Sequence, residues 1–399
     1  MVSTNTTPRC RPRAALVVAM ERLDESAVLG LTSSPWTSKA SKSISSACRI
    51  PAMADTLEIC FLSGTGNSQR CAAWVAELAR AQGRQVRMAP VETGPPASAG
   101  PLCLALPTHG FCAPWALLKW AAQLPRVDGA PAFVICTRAG IKTGPFHPPG
   151  AASSAPFVTA ALLASRGYRV RGAMSVNMPS NWMAFHPPQA VATAQLIVDR
   201  ARPIVERFAT RMLAGERRWL SLNLAYEAVM ALILWPVTLL YLLAGRIFLG
   251  KLFMANPKCT GCGLCQDACP VGAIEMKGER PYWTWHCESC MRCIAFCPHS
   301  AIDVSHSWAL AITVATTLPV VLFFAAPQLF PTPLLLSLGI AAFVLWNYVA
   351  MFFGYTLFAK LILSPRWNGV AWWGALWRGF RRYREPNTRL KDLRRTREP

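Results

Sequence analysis

The 399-residue sequence predicts a doubly wound parallel α/β sheet, then a small cysteine-rich α+β domain, together with α-helical membrane segments. The sheet is indicated by short apolar strands that alternate with helical patterns from Leu57 to Val176. The small domain is indicated by eight cysteines in two equally spaced runs between residues 259 and 298. The membrane segments are indicated by a composition with 53% hydrophobic and only 15% charged residues, which is unusually apolar for a soluble protein.

Residues 1–52 are rich in Ser, Thr, Arg and Pro and show no sustained periodicity. The apolar run from Ala14 to Met20 is short for a signal peptide, and acidic residues follow it at once. We therefore expect either a disordered leader or a mis-assigned start. Met53 is the alternative first residue, because the folded pattern begins just after it.

Residues 53–187 carry the pattern of the predicted sheet, in which short apolar runs are bounded by Gly, Pro or polar residues. The expected strands are Leu57–Leu62, Gln85–Ala89, Pro101–Leu106, Ala132–Cys136 and Tyr168–Val176. The first expected helix follows the first strand and ends near Gln82. Later helices are expected over Ala113–Leu124 and Pro156–Ser165. In such a sheet the ligand binds at the carboxyl ends of the strands.

The loop after the first strand has the composition of a phosphate-binding loop. Its residues are Ser63, Gly64, Thr65, Gly66, Asn67 and Ser68. Gly, Thr and Ser between a strand and a helix leave N–H and hydroxyl groups free to surround a phosphate, and the helix N-terminus adds a favourable dipole. The alternative is a glycine-rich loop that only turns the chain.

This strand, loop and helix resemble the flavodoxin family, whose phosphate loop reads like residues 63–68. The resemblance implies FMN, with its phosphate held by Ser63, Thr65, Gly66, Asn67 and Ser68. It also implies that two later loops contact the flavin ring. These loops contain Pro107, Thr108, His109, Gly110 and Phe111, and Thr137, Arg138, Ala139 and Gly140. The candidate aromatic residues for stacking on the ring are Phe111, Trp115 and Trp182, and the polar segment 177–182 with His186 could line the flavin edge.

The two cysteine runs share the pattern C-x2-C-x2-C-x3-C-P, by which bacterial ferredoxins bind [4Fe–4S] clusters. Three closely spaced thiolates reach one cluster, and the fourth cysteine of each run ligates the other cluster. We therefore expect cluster 1 to be bound by Cys259, Cys262, Cys265 and Cys297, and cluster 2 by Cys287, Cys290, Cys293 and Cys269. The alternatives are zinc, whose sites usually show two CxxC pairs, and disulfides, which do not require a doubled spacing.

The other seven cysteines are scattered and odd in number. Cys60, Cys103 and Cys136 lie in apolar strand-like runs, so we expect buried free thiols in a reducing compartment.

Residues 188–252 are expected to form a linker helix, Gln189–Arg218, and a membrane-associated helical segment. The apolar stretch Ala228–Gly245 contains Pro236 and has basic residues at both ends. Because flanking positive charges favour the cytoplasmic side, we expect an in-plane or re-entrant helical hairpin bent at Pro236. After the cysteine-rich domain at 253–305, residues 308–359 are expected to form a transmembrane hairpin, since each of its two apolar stretches approaches the ~20 residues that cross a bilayer.

Residues 360–399 begin with an interfacial Trp-rich helix and continue as a basic tail. They hold 11 Lys/Arg against 3 Asp/Glu, a net charge of +8 out of +21 for the chain. Such a tail beside a membrane helix is typical of a cytoplasmic segment facing anionic lipid, and nucleic acid is not expected as a partner. We therefore expect a multi-pass protein of the cytoplasmic (inner) membrane whose redox domains face the cytoplasm.

Over about Leu57–Val304 the chain resembles bacterial flavodoxin–ferredoxin fusion electron-transfer proteins. The resemblance implies a relay between FMN and two [4Fe–4S] clusters, to or from a soluble or membrane redox partner. A quinone is one candidate, because Asn347 and Tyr348 are polar groups within a span, although interhelical hydrogen bonding also explains them. The alternative function is a membrane anchor or assembly subunit whose flavin-free first domain docks a partner.

No nucleophile–base constellation is present in the sequence, so no catalytic residues are predicted. The expected function is oxidoreductase or electron transfer without a small-molecule substrate of its own. A reductase of a specific small substrate is the third hypothesis.

Overall fold

The first part of the chain forms a five-stranded parallel sheet. The computed structural model describes residues 56–142, 144–325, 327–329, 331–364, 366–376, 378, 380 and 382–393. The strands are β1 Thr56–Phe61, β2 Gln85–Pro90, β3 Leu102–Pro107, β4 Pro131–Gly140 and β5 Arg169–Pro179. All are parallel in the order β2-β1-β3-β4-β5. This is the strand order of the flavodoxin-like doubly wound fold, and the predicted fold class is confirmed.

Helices cover both faces of this sheet. They are α1 Asn67–Ala81, α2 Trp115–Ala122, α3 Ala155–Ser165 and α4 Val191–Leu213. Helices α1 and α4 pack on one face, where Trp74 and Phe208 are buried, whereas α2 and α3 pack on the other over Leu117 and Leu163. Because both faces are covered, β3 reads as an almost continuous apolar run.

Two of the predicted loops at the sheet edge are strand in the structure. Residues Thr137–Gly140 complete β4 and pair with Val176–Pro179, which complete β5. Their polar composition indicated a loop, but ladder pairing with a neighbouring strand overrides local preference. The correction leaves these residues at the carboxyl edge, where a ligand is expected.

The predicted hairpin at Pro236 is wrong. Helix α5 Leu222–Leu240 contains Pro236 and continues through a π-helical turn, Tyr241–Gly245, into α6 Arg246–Phe248 and a final 3-10 turn. Gly245 itself keeps helical dihedral angles of φ −57° and ψ −43°. A single proline kinks a helix without reversing it. The segment is therefore one continuous helical rod from Leu222 to Leu252.

The cysteine-rich domain contains two small antiparallel sheets and two one-turn helices. Its strands are β6 Phe253–Ala255, β7 Ile274–Lys277, β8 Arg280–Trp283 and β9 Ile302–Val304, and its helices are α7 Leu264–Asp267 and α8 Arg292–Ala295. Strand β6 pairs with β9, and β7 pairs with β8. Phe253 and Trp283 form its core with Ile274, Ile294 and Ile302.

Two long helices follow where a transmembrane hairpin is predicted, α9 His306–Ala325 and α10 Pro333–Leu363. They run antiparallel, and Trp346 Nε1 donates a hydrogen bond to the Ala315 carbonyl across them at 2.8 Å. Within the described part of the chain, two stretches are long and apolar enough to cross a membrane, Leu222–Leu252 and Pro333–Leu363. Their mean hydropathies are 2.1 and 2.0.

The C-terminal region departs from its prediction. The Trp-rich segment includes the short helix α11 Asn368–Trp373, but residues 382–393 then pack on the sheet domain. Glu385 and Thr388 are buried there, so this part of the basic tail does not lie on lipid. Sequence composition showed the positive charge but not the few polar residues that make these contacts. The predicted leader, Met53 as a start, Cys10 and Cys48 lie outside the described residues.

Candidate functional site

A cleft of about 730 Å³, including its open mouth, lies at the carboxyl edge of the sheet. It is lined by residues of all three loops that the sequence analysis assigned to a flavin, namely Ser63, Gly64, Thr65, Asn67, Ser68, Thr108, His109, Gly110, Thr137, Arg138 and Ala139. Three other predicted residues, Gly66, Phe111 and Gly140, are not part of the lining. Their loops nevertheless converge on one cleft at the switch point of the sheet, where doubly wound folds bind ligands.

The phosphate loop has the geometry of an anion-binding turn. Gly66 has φ +101°, a left-handed conformation, and its N–H donates to Ser63 Oγ at 3.1 Å. No side chain caps the N-terminus of α1. Its first-turn N–H groups are therefore available to an anion, and the helix dipole adds to the attraction.

Three buried polar atoms around the cleft lack a hydrogen-bond partner among the described residues: Thr108 Oγ1, His109 Nδ1 and Ser289 Oγ. Buried polar atoms are rarely left unpaired, so a polar ligand in the cleft would satisfy them. Burial lowers the pKa of His109 to about 4, which keeps its ring neutral at pH 7. A polar, uncharged wall opposite a phosphate loop fits the ring system of a flavin nucleotide.

One of the three candidate stacking residues lines the cleft, and the other two do not. Trp182 lines the cleft, but Phe111 and Trp115 do not. Trp115 instead lies under the Arg246 guanidinium, 4.9 Å from the ring centroid. Tyr241, which the sequence analysis missed, lines the cleft from the long helical rod, and a Cβ at Gly110 would overlap its ring. The available signal was a tyrosine within an otherwise aliphatic run.

Arg138 joins the cleft to α5. Its guanidinium forms an ion pair with Glu227, and its Nε donates to Asn177 Oδ1 at 2.7 Å. Glu227 is fully buried and also accepts the N–H groups of Ala152 and Ser153. The charge of Arg138 is therefore compensated within the protein, and its contribution to the cleft is positional.

The cysteines assigned to cluster 1 surround one cavity. Cys259, Cys262, Cys265 and Cys297 all line a space of about 450 Å³, including its open mouth, and Cys293, which is assigned to cluster 2, also lines it. The thiols of Cys287, Cys290 and Cys293 lie within electrostatic range of one another and of Cys269. No three His, Cys, Asp or Glu side chains of the described residues converge on a single metal ion. A cavity with the four assigned thiols in its lining suits a cubane cluster.

The second cysteine run also forms part of the cleft wall, through Ser289, Cys290 and Met291. A Cβ at Gly64 would overlap the carbonyl oxygen of Cys290, so only glycine lets the phosphate loop and the cysteine loop approach this closely. From the sequence, the two cofactor regions are expected in separate domains. The structure brings them into direct contact.

Arg292 connects the two regions. This 2% exposed side chain donates to the Ser63 carbonyl at 2.8 Å and to the Ala268 carbonyl at 3.2 Å. Its guanidinium also lies 2.5 Å from a carboxylate oxygen of Glu92, which follows β2. One buried cation thus joins the phosphate loop, both cysteine runs and the sheet edge.

Replacing Arg292 with methionine is expected to destabilise the protein by roughly 3–5 kcal/mol at pH 7, because Glu92 would remain buried without its ion-pair partner. Burial already raises the pKa of Glu92, against the opposing effect of Arg292. A carboxyl group whose pKa is raised in the folded state makes the folded protein more stable at low pH, and this stabilisation is lost as pH rises. The destabilisation should therefore shrink toward low pH, where Glu92 is protonated. Thermal unfolding of detergent-solubilised protein across pH measures this. Arg207→Met, at an exposed position of α4, is the control. An equal loss for both variants would contradict the role of Arg292.

Lys251 fixes the end of the long helical rod to the cysteine-rich domain. The side chain is 3% exposed, and Nζ donates to the Trp283 carbonyl at 2.5 Å. Nζ also lies 4.1 Å from the ring centroid of Trp285 and 4.3 Å from that of Tyr355 in α10. These cation–π contacts join the rod, the cysteine-rich domain and the hairpin.

The strand order defines a flavodoxin-like fold, and the cysteine-rich domain is of the iron–sulfur type. Residues 251–298 match the family model of the 4Fe-4S dicluster domain. No curated protein matches the chain.

Solved flavodoxins overlap the sheet domain. A flavodoxin of Streptococcus pneumonia TIGR4 is 18% identical, with 40% of this chain and 99% of that chain covered and a TM-score of 0.29. A flavodoxin from the domain Archaea is 12% identical, with 39% and 99% covered and a TM-score of 0.25. Oxidised flavodoxin 2 from Bacillus cereus is 15% identical, with 38% and 98% covered and a TM-score of 0.26. At these scores the overlaps carry no information on ligand or activity.

Proposed function

We propose that this protein is a membrane-attached electron-transfer protein that relays electrons between FMN and two [4Fe–4S] clusters. The observation that carries the proposal is the shared wall: the cleft at the sheet edge is lined both by the phosphate loop and by Ser289, Cys290 and Met291 of the second cysteine run. A flavin in this cleft would lie against a ligand loop of cluster 2.

Different residues of the cleft would bind the phosphate and the ring system of FMN. The hydroxyls of Ser63, Thr65 and Ser68 and the first-turn N–H groups of α1 would hold the phosphate. Thr108, His109 and Ser289 offer polar atoms to the ring system, and Trp182 and Tyr241 offer aromatic surface. FMN, when bound, accepts two electrons and releases them singly, whereas each cluster carries one.

The eight cysteines would hold the clusters in the crossed arrangement, and the buried side chains of Ile274, Ile294 and Ile302 would keep water away from them. Burial and nearby hydrogen bonds set the potential of a cluster. Because Cys262 is exposed and Cys287 is buried, cluster 1 would lie nearer to solvent than cluster 2. We infer that cluster 2 faces the flavin and that cluster 1 faces a redox partner.

Cofactor analysis of anaerobically purified protein tests this proposal. We expect about one FMN and about eight irons per chain, because two [4Fe–4S] clusters hold four irons each. Iron at this level with no flavin, even after FMN is added, would contradict the relay. The result would then favour the second hypothesis, a membrane anchor or assembly subunit whose first domain docks a partner.

The membrane arrangement follows from how the long rod is held. Its start is fixed to the sheet edge by Glu227, its middle to the cleft by Tyr241 and its end to the cysteine-rich domain by Lys251. A rod attached along its length to the extramembrane domains cannot also cross the bilayer. Leu232, at 77% exposure, and Ile233 form part of its outward apolar face. We infer that the rod lies in the membrane plane and that the α9–α10 hairpin crosses.

All extramembrane parts would then lie on one side, because the C-terminal segment contacts the phosphate loop. The positive charge of that segment favours the cytoplasmic side. An impermeant thiol reagent applied to intact cells tests the orientation. We expect Gln328→Cys, in the turn between α9 and α10, to be labelled, and Lys391→Cys, in the C-terminal segment, to be labelled only after lysis. The parent protein supplies the background. Equal labelling of both variants in intact cells would contradict the topology.

The electron donor and acceptor are proposed to be a soluble or membrane redox partner. A quinone is the membrane candidate, because Tyr348 is 55% exposed on α10. Asn347 donates to the Phe343 carbonyl of its own helix at 2.9 Å, so that donor is already used.

A further inference from the structure

We propose that residues 382–393, here called the latch, position the phosphate loop for flavin binding, so that FMN is retained tightly only when the latch is docked. The proposal rests on the proposed function, since it assigns these residues to the same flavin site. It gives the C-terminal segment a role beyond the topology signal that its charge indicates.

Hydrogen bonds from the latch reach three alternate residues of the loop and first turn of α1. The Glu385 N–H donates to the Thr65 carbonyl at 2.8 Å. The Tyr383 hydroxyl donates to Asn67 Oδ1 at 2.7 Å, and the Thr388 hydroxyl lies 2.8 Å from Gln69 Oε1. The latch therefore holds both the backbone and the side chains of the loop.

The approach is close and its shape is specific. Glu385 is 0% exposed and Thr388 is 3% exposed. A Cβ at Gly66 would lie 2.8 Å from both Glu385 Cβ and Thr388 Cβ, so the glycine that gives the loop its left-handed turn also makes room for the latch. No latch residue lines the flavin cleft. The latch thus supports the loop from behind and does not compete for the phosphate position.

Asn67 shows how the support reaches the ligand. Its side chain lines the cleft, and its Nδ2 donates to the Pro179 carbonyl at the end of β5 at 2.9 Å. With Oδ1 accepting from Tyr383, both ends of the amide are fixed. Without Tyr383, this side chain would lose the bond that orients it.

The electrostatics of the latch are compatible with a neighbouring phosphate. Glu385 is a buried carboxylate, but the Arg70 guanidinium lies 3.8 Å from it, and Asn387 Nδ2 donates to Glu385 Oε1 at 3.2 Å. The negative charge is therefore compensated on the far side of the loop.

The other end of the latch is tied to the cysteine-rich domain. Arg382 forms an ion pair with Asp303 of β9, and both side chains are buried. Asp303 also accepts a hydrogen bond from Trp372 of α11 at 3.1 Å. The latch thus links the phosphate loop to the cluster domain and to the segment that follows the membrane hairpin.

FMN affinity of the full-length chain tests the proposal. Tyr383→Phe and Thr388→Val should each weaken FMN binding about tenfold, the effect of one lost buried hydrogen bond. A chain ending at Phe380 should lose flavin during purification but keep its iron. Tyr168→Phe is the matched control, because Tyr168 is buried in the sheet domain on the α2–α3 side and should leave FMN affinity unchanged.

The outcomes separate the latch from the relay. Unchanged FMN affinity in both point variants would overturn the latch while leaving the proposed function intact. A parent protein that binds no FMN would overturn both. If the truncated chain fails to fold and loses iron as well, the two point variants still test the role of the latch. Each of them removes one hydroxyl group with its hydrogen bond and changes little else.

Discussion

Replacing Cys297 with alanine is expected to remove the cluster of the first cysteine run and to leave the cluster of its own run. Cys297 lines the same cavity as Cys259, Cys262 and Cys265, although it is the last cysteine of the second run. The iron content should fall from about eight to about four per chain. The electron paramagnetic resonance spectrum of the reduced variant should match that of Cys259→Ala.

The crossed arrangement makes a reciprocal prediction. Cys269→Ala should give the spectrum of Cys287→Ala, because Cys269 belongs with the second set of thiols. Cys103→Ala is the control: this buried thiol lies in β3, and its removal should leave all the iron in place. If Cys297→Ala resembles Cys287→Ala instead, each run binds its own cluster and the assignment is wrong.

Gly64→Ala is expected to cause the largest loss of flavin of any single change in the phosphate loop. The added Cβ would overlap the Cys290 carbonyl oxygen, which is backbone and cannot rotate away. The loop or the cysteine run must then shift, so we expect FMN affinity to fall more than tenfold while the iron content remains. Equilibrium titration of the flavin-depleted protein with FMN measures the effect.

Gly83→Ala is the matched control for that change. Gly83 follows α1 with φ +76°, and an added Cβ would meet nothing within 4 Å. Alanine there carries a backbone strain of about 1–2 kcal/mol, so the protein should be less stable but bind FMN normally. Equal loss of FMN in both variants would show that general destabilisation, and not the contact with Cys290, sets flavin affinity.

The five strands and the iron–sulfur domain could be predicted because each depends on a short pattern of neighbouring residues. The alternation of apolar runs and helical stretches placed all five strands, and the doubled cysteine spacing placed the iron–sulfur domain. The loop residues 63–68 were found because glycine and hydroxyl side chains between a strand and a helix have a direct physical use. The cysteine pairing and the flavin ligands remain predictions.

The parts of the fold and of the site that could not be predicted depend on contacts between residues far apart in the sequence. Arg292 reaches the Ser63 carbonyl, and Thr388 reaches Gln69, across 229 and 319 residues respectively. No local period encodes such contacts. Tyr241 was missed for the same reason, because its contact with the loop at Gly110 joins residues far apart in the sequence. The hairpin at Pro236 was wrong because a proline was treated as a reversal, whereas a helix that is held by packing at both ends continues through it.

In the proposed relay, membrane attachment and electron transfer would be connected through a few buried polar groups. Lys251 ties the rod to the hairpin and to the cluster domain, and the latch ties the segment after the hairpin to the phosphate loop. The cleft itself is lined by the sheet edge, the long helical rod and the second cysteine run. A cofactor site assembled in this way positions its two redox regions in contact without a mobile linker.

The most direct test of the relay is flash photoreduction of the flavin in anaerobic protein, with the flavin and the clusters followed by absorbance. Because the cleft and the second cysteine run share a wall, we expect the flavin to be reoxidised as a cluster is reduced. The rate should be first order and independent of protein concentration. A rate that rises with protein concentration, or a reduced flavin that leaves the clusters oxidised, would contradict electron transfer within the chain.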